Sequence, residues 1–442
     1  MALRSERGIW FWIGMLLLAT SAAKAQQTNP ANPPPQAQPP LPNRANEQLP
    51  GWLRVRGEFR SRLEWFTGAG FTSGRDDLYW LNRVRLNVAV RPSRLLTFEV
   101  QAQDARVGGK EVGPTGPPFR DAFDLRMAYA EVGDSQKNLV TARIGRQELV
   151  FGEQRLIGHT SWLNTARTFD GVRFTIHRPR YQLDAFASSV VRIQDGTFNK
   201  SGYGNRVLGV HGTSRTVVRH SVVEAYLFLK RDPNLHSATI GTHWTGELPF
   251  RLDYGIEIAA QTGSAGSDTI RAWAGHWQLG ETIASDPKLR LIGEYNYASG
   301  DRDPSDGRRG TFDQLYPTAH DKYGLADQVG WRNIHDLRLG SEITPTKGWQ
   351  LTGSYHSWWL ADTHDGLYNA AGALIASFPG GSVASHVGEE FDVQLLHALS
   401  PQISLAGGYS RIFPGEFLKQ ATPGAKFSFP YFMVTYIFLA EK

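Results

Sequence analysis

From Leu53 to Trp65, charged side chains occupy every second position: Arg54, Arg56, Glu58, Arg60, Arg62 and Glu64. Guanidinium groups repeated in this way can bind carboxylates or sugar hydroxyls through paired N–H donors, provided that one surface displays them together. Arg83, Arg85, Arg143 and Arg173 recur in the same alternate manner, and acids follow later at Asp253, Glu257, Glu294, Asp336, Glu342, Glu390 and Asp392, with Arg338 among them. Other chemistries find less support. Cysteine is absent, so neither a disulfide framework nor a thiolate metal site is available. Asp301, Asp303 and Asp306 with Gly307 are a weak calcium candidate, but the spacing is too long for an EF-hand and no closing Glu follows, so a solvated loop is expected and no metal or cofactor. His159, His320 and Asp321 lie on long connections without a nucleophile motif. They read as lid contacts, and no catalytic residue is assigned.

The elements that must position these charges are strands. Opposite the charged positions stand Leu53, Val55, Gly57, Phe59, Ser61, Leu63 and Trp65, and only a two-residue period sorts the sets onto separate faces. The pattern recurs in Trp80, Val84, Leu86, Val88 and Val90 against Arg83, Arg85 and Asn87, and in Leu252 to Ala260. About eighteen such segments can be marked. Connections after even-numbered segments are short. After odd-numbered ones most are long, as in 150–168, 299–332 and 361–388. That asymmetry, with aromatic residues near segment ends (Trp52, Trp65, Tyr79, Trp80, Trp349, Tyr431), predicts an all-β, antiparallel up-and-down transmembrane barrel with short periplasmic turns and long extracellular loops. A secreted β-sandwich would also alternate, without requiring the loop asymmetry. Residues 1–25 read as a signal peptide: Arg4 and Arg7, an apolar run from Ile9 to Ala19, then Ala23-Lys24-Ala25. Residues 26–50 are rich in Pro, Gln and Asn and read as a disordered periplasmic tether, leaving 51–442 for the barrel. A net charge of +5, spread through the chain, does not indicate nucleic acid.

Arg143 to Leu149, Phe151 to Gly158, Trp162-Leu163-Asn164 and Arg167 to Arg173, with Tyr297 to Asp301 and Trp331-Arg332-Asn333 later, resemble the alginate export family of outer-membrane porins. The resemblance implies an eighteen-stranded barrel in the Gram-negative outer membrane that conducts polysaccharide. The expected function is a channel for an anionic or polar carbohydrate, with a small-anion or carboxylate porin as the alternative and a barrel-borne surface enzyme or adhesin as a third. The expected partners are outer-membrane lipid, a hydrophilic permeant and the barrel-insertion machinery. Porin logic turns the charged face to the lumen, so Arg54, Arg56, Arg60, Arg62, Arg83, Arg85, Arg143, Arg173 and Arg338 are expected to meet the permeant across from the acids. Two loops are expected to occlude the lumen: 299–332 as a fixed constriction, and the glycine-rich 361–388 as a mobile lid.

Overall fold

The computed structural model describes residues 44–134, 139–378 and 380–439. The expected signal peptide and the tether up to residue 43 lie outside them. Eighteen strands form the wall: β1 Leu53–Phe66, β2 Asp77–Ser93, β3 Leu96–Gly108, β4 Asp121–Val132, β5 Val140–Gln147 and β6 Phe169–His177. There follow β7 Tyr181–Arg192, β8 Lys200–Ser214, β9 Ser221–Asp232, β10 Leu235–Leu248, β11 Leu252–Ala265 and β12 Asp268–Ser285. The circuit ends with β13 Lys288–Ala298, β14 Ile334–Thr344, β15 Trp349–Trp359, β16 His386–Ala398, β17 Ile403–Pro414 and β18 Phe427–Phe438. Each strand pairs antiparallel with its chain neighbours, and β1 pairs with β18 from Gly57↔Phe438 to Glu64↔Tyr431. The sheet therefore closes and presents no long free edge to lipid.

The alternation read from the sequence is the sidedness of this wall. Phe59, Val84, Leu86 and Ile258 are exposed on its outside, whereas Arg60, Arg62, Arg83 and Arg85 are all below one-tenth exposed within. Trp65, Trp80 and Trp349 stand exposed near strand ends, where aromatic girdles lie. Tyr79 and Tyr431, expected in the same girdle, face inward instead: Tyr79 donates to Glu64, and Tyr431 meets the edge of Trp162. Each shares parity with lumen residues of its own strand, which outweighs its position at a strand end.

β18 stops opposite Gly57, leaving Leu53–Arg56 of β1 unpaired on that side. The last residues of the expected tether cover this gap. In α1, Ala45–Gln48, the Asn46 side-chain amide accepts from the Val55 N–H at 2.9 Å and donates to the Val55 carbonyl at 2.7 Å, as a strand residue would. The same amide nitrogen lies 3.1 Å from the Leu439 carbonyl oxygen.

The sidedness fixes an expected outcome for substitution. Leu86→Arg or Phe59→Arg lowers stability in lipid vesicles by about 2–4 kcal/mol where the site lies near the bilayer midplane. Thr352→Arg, introduced opposite Glu342 on the inner face, is tolerated. Denaturant unfolding in vesicles measures this, and equal losses at the three positions would reverse the assignment of faces.

Candidate functional site

Two loops, 148–168 between β5 and β6 and 299–333 between β13 and β14, fold into the lumen. A backbone placed there loses bulk water, so its polar groups need partners. The wall arginines supply donors for loop 148–168. Arg60 donates through Nη1 to the Ser161 carbonyl at 2.8 Å and through Nη2 to Trp162 at 3.0 Å and Leu163 at 3.2 Å. Arg62 donates to the Trp162 carbonyl at 2.7 Å, with its Nε 2.6 Å from Glu64. Arg83 reaches Leu163 at 3.1 Å and Glu58 at 2.6 Å. Arg85 holds Gln103, whose amide donates to Thr165. Asn164, 1% exposed, donates to the carbonyls of Arg106 and Phe119.

The acidic side of the wall holds the complementary groups. Glu390 accepts from the Ala326 N–H at 2.9 Å and Asp392 from the Leu325 N–H at 3.2 Å. Gly324 has φ +116°, and a Cβ there would lie 2.7 Å from the Glu390 carboxylate, so glycine permits the close approach. Arg155, carried across the lumen by loop 148–168, meets fully buried Glu294 at 3.1 Å and the Tyr323 hydroxyl at 3.2 Å. Arg338 reaches Glu294 from β14 at 3.0 Å. The loops also bond to each other, Gly158 N–H to the Tyr316 carbonyl, Tyr316 N–H to Leu156 and Thr318 N–H to Gln154, at 2.8–2.9 Å. Burial opposes the charge of Glu153, yet the His243 ring and the Arg155 and Lys322 cations hold its carboxyl well below the usual range. Burial pushes the Lys322 ammonium down.

The remaining expected residues are distributed around this framework. Arg143 pairs with Glu131 at 2.5 Å and Arg173 with Asp184 at 2.8 Å. Asp253 and Glu342 share Arg290, Glu257 accepts from the Tyr226 hydroxyl, and Asp336 pairs with His356. Arg54 turns back to the Pro50 and Leu53 carbonyls, while the Arg56 side chain is exposed and has no hydrogen-bond or ion-pair partner among the described residues. Asp303 and Asp306 each bond the backbone two residues on, and among the described residues no group of acids or histidines is arranged to hold a metal ion. The β15–β16 loop, expected as a mobile lid, is tied down: Asn333 donates to Asp362 and Gly366, Gln314 to Ala370, and Asp365 accepts from Thr311.

The two inward loops meet at Trp162. The Arg62 guanidinium lies 3.7 Å from its ring centroid and the His320 ring 3.8 Å, nearly parallel at 6°. Two groups cannot share one face at those distances, so both faces of Trp162 are covered. Asp327 fixes His320 through Nδ1 at 2.9 Å. Trp162 and His320 border three cavities. One, of about 370 Å³, opens among Phe66, Phe119 and Phe427 on the extracellular side. Two others, about 440 and 360 Å³, lie among Glu342, Gln350 and Gln394 and among Glu58, Met433 and Thr435 toward the periplasm. Sequence reasoning assigned no role to Arg155, Trp162 or Asn164. Their only signal was membership of the motif run from Phe151 to Asn164.

The alginate export family model matches residues 51–430. Among solved structures, Pseudomonas aeruginosa OccK5 (OpdH) superposes with a TM-score of 0.61 at 9% identity, over 88% of this chain and 99% of that one. Pseudomonas aeruginosa OpdK, solved with vanillate, gives 0.61 at 10% identity over 87% and 98%. Pseudomonas aeruginosa OccK2 (OpdF), solved in complex with glucuronate, gives 0.58 at 12% identity over 87% and 98%. Identities this low carry the fold alone. A comparison with curated proteins finds no match. With a closed, infolded barrel and a family match across nearly all of it, the chain belongs to the alginate export family and is an outer-membrane channel.

Proposed function

We propose that the channel passes small polar solutes bearing a carboxylate, acidic monosaccharides included, in preference to an extended polysaccharide. The observation that carries this reading is the Trp162–His320 contact. The extracellular and periplasmic cavities meet at this pair, and both faces of the indole are covered. A solute crossing there passes a constriction bordered by cavities near the lower end of the roughly 300–1,000 Å³ typical of small-molecule sites. An alginate-like polymer would need both loops to leave the lumen, breaking the buried Arg155–Glu294 pair and the grip of Arg60 and Arg83.

Charge supports the carboxylate. On β1, β2 and β4, Arg60, Arg62, Arg83, Arg85 and Arg126 have three carboxylate partners among them, Glu58, Glu64 and Glu148. Arg60 and Arg85 bond only neutral oxygen atoms. A neutral acceptor satisfies an N–H donor without cancelling its charge, so this side of the lumen keeps a positive field. Arg56 extends it toward the periplasm.

Two outcomes in planar bilayers test this. Arg56→Glu lowers the chloride-to-potassium permeability ratio several-fold at low salt, since one charge contributes about 1 kcal/mol at 4 Å in watery surroundings, and less as salt rises. Arg60→Ala combined with Arg83→Ala releases loop 148–168 at Ser161–Leu163, raising unitary conductance and current noise and admitting longer uronate oligomers. Selectivity unmoved by the first change would remove the case for carboxylates. Unchanged conductance in the second would show that the loop contacts do not set the constriction.

A further inference from the structure

On the outer wall near the extracellular end of β7–β9, cations stand opposite cations. Arg206 of β8 is the register partner of Arg231 of β9, and Arg192 of β7 is opposite Lys200 of β8. All four are exposed. Among the described residues, the side chains of Arg192, Lys200 and Arg206 make no hydrogen bond or ion pair, and that of Arg231 touches the neighbouring Lys230 carbonyl at 3.5 Å. Like charges directly across a strand pair repel, and the nearby acids do not relieve them: Asp232 turns to Lys230, and Asp170 to Arg146. The arrangement calls for an anion from outside the chain.

What lies below the cations defines the rest of that partner. Two residues from Arg206 along β8 is Leu208, then Val210, and two residues from Arg231 along β9 is Leu229, then Leu227. These side chains, with Val172, Phe174, Ala185 and Ala187, line an apolar groove of about 340 Å³ on the lipid-facing wall. The small side chains of Ala185 and Ala187 and the bare backbone of Gly209 make its floor, flanked by exposed Phe174, Val210 and Leu227. From Arg206 to Val210 the strand rises roughly 13 Å, a length that suits a hydrocarbon chain lying along the wall.

We propose that this face is a binding site for a phosphorylated, acylated lipid of the outer leaflet, with phosphate held between Arg206 and Arg231 and an acyl chain in the groove beneath. Guanidinium forks match phosphate oxygens in pairs, and binding converts a repulsive rung into two charge-assisted contacts. Arg192 and Lys200 stand above to receive a second phosphate. The site is independent of the solute that the lumen passes.

The test uses the full chain purified in detergent, with bisphosphorylated lipid A as the probe and binding followed by native mass spectrometry. Arg206→Gln with Arg231→Gln weakens binding at least about tenfold. Ala187→Phe, which fills the groove, weakens it independently. The double change removes a repulsive pair, so the barrel should still fold, checked by its shift on heating before electrophoresis, with unitary conductance unaltered. Lipid A stripped of phosphate binds as weakly to the unaltered protein as the bisphosphorylated form binds to the double variant. The proposal is overturned if dephosphorylated lipid binds equally well, or if both variants, shown to be folded, bind as the unaltered protein does.

Discussion

The carbonyls of Ser161, Trp162 and Leu163 set the terms for the rest of the lumen. They belong to a loop that has left the extracellular surface and can neither join the wall's ladder nor count on bulk water, and an unmet backbone acceptor in such a place is costly. Arg60, Arg62 and Arg83 answer it with donors from two adjacent strands. Their guanidinium groups are planar and multiply armed, so one side chain can satisfy several carbonyls of an irregular segment. A lysine at the same place would offer a point charge without the fork.

The same logic explains why the wall is basic on one side and acidic on the other. The segment against β1 and β2 presents carbonyls, which need donors. The segment against β16 presents the N–H groups of Leu325 and Ala326, which need acceptors, and Arg155 needs Glu294. Segregated charge is therefore first a means of fastening two loops of opposite polarity across one lumen. Removing either member of the Arg155–Glu294 pair would leave the other buried without its partner, a more severe change than losing an exposed ion pair.

Much of the architecture was legible because a barrel wall obeys a local rule. Phe59 and Arg60 differ in environment only by parity, and parity can be read from adjacent letters. The eighteen strands of the wall match the number of alternating segments, and alternation is weakest at Phe427–Pro430, where β18 begins. The constriction was less legible because it depends on contacts between residues about a hundred positions apart, such as Arg60 with Ser161–Leu163. No period announces these. Loop 299–332 was expected inside, whereas 150–168 entered only as a long connection, although it spans the lumen. The glycines of the β15–β16 loop suggested mobility, yet tertiary hydrogen bonds at Asn333, Gln314 and Asp365 hold it. Glycine permits a conformation without deciding whether the surroundings fasten it.

The division of labour among the arginines links the fastening to permeation. Where an arginine meets a carboxylate, as Arg143 meets Glu131, both charges vanish from any distant view. Where it meets a carbonyl or an amide oxygen, as Arg60 and Arg85 do, its donors are satisfied but its charge survives. A loop fastened mainly through its carbonyls thus leaves the charges of Arg60 and Arg85 without a carboxylate partner beside it. The geometry that narrows the lumen and the field proposed to favour anions in it would then be consequences of one set of contacts.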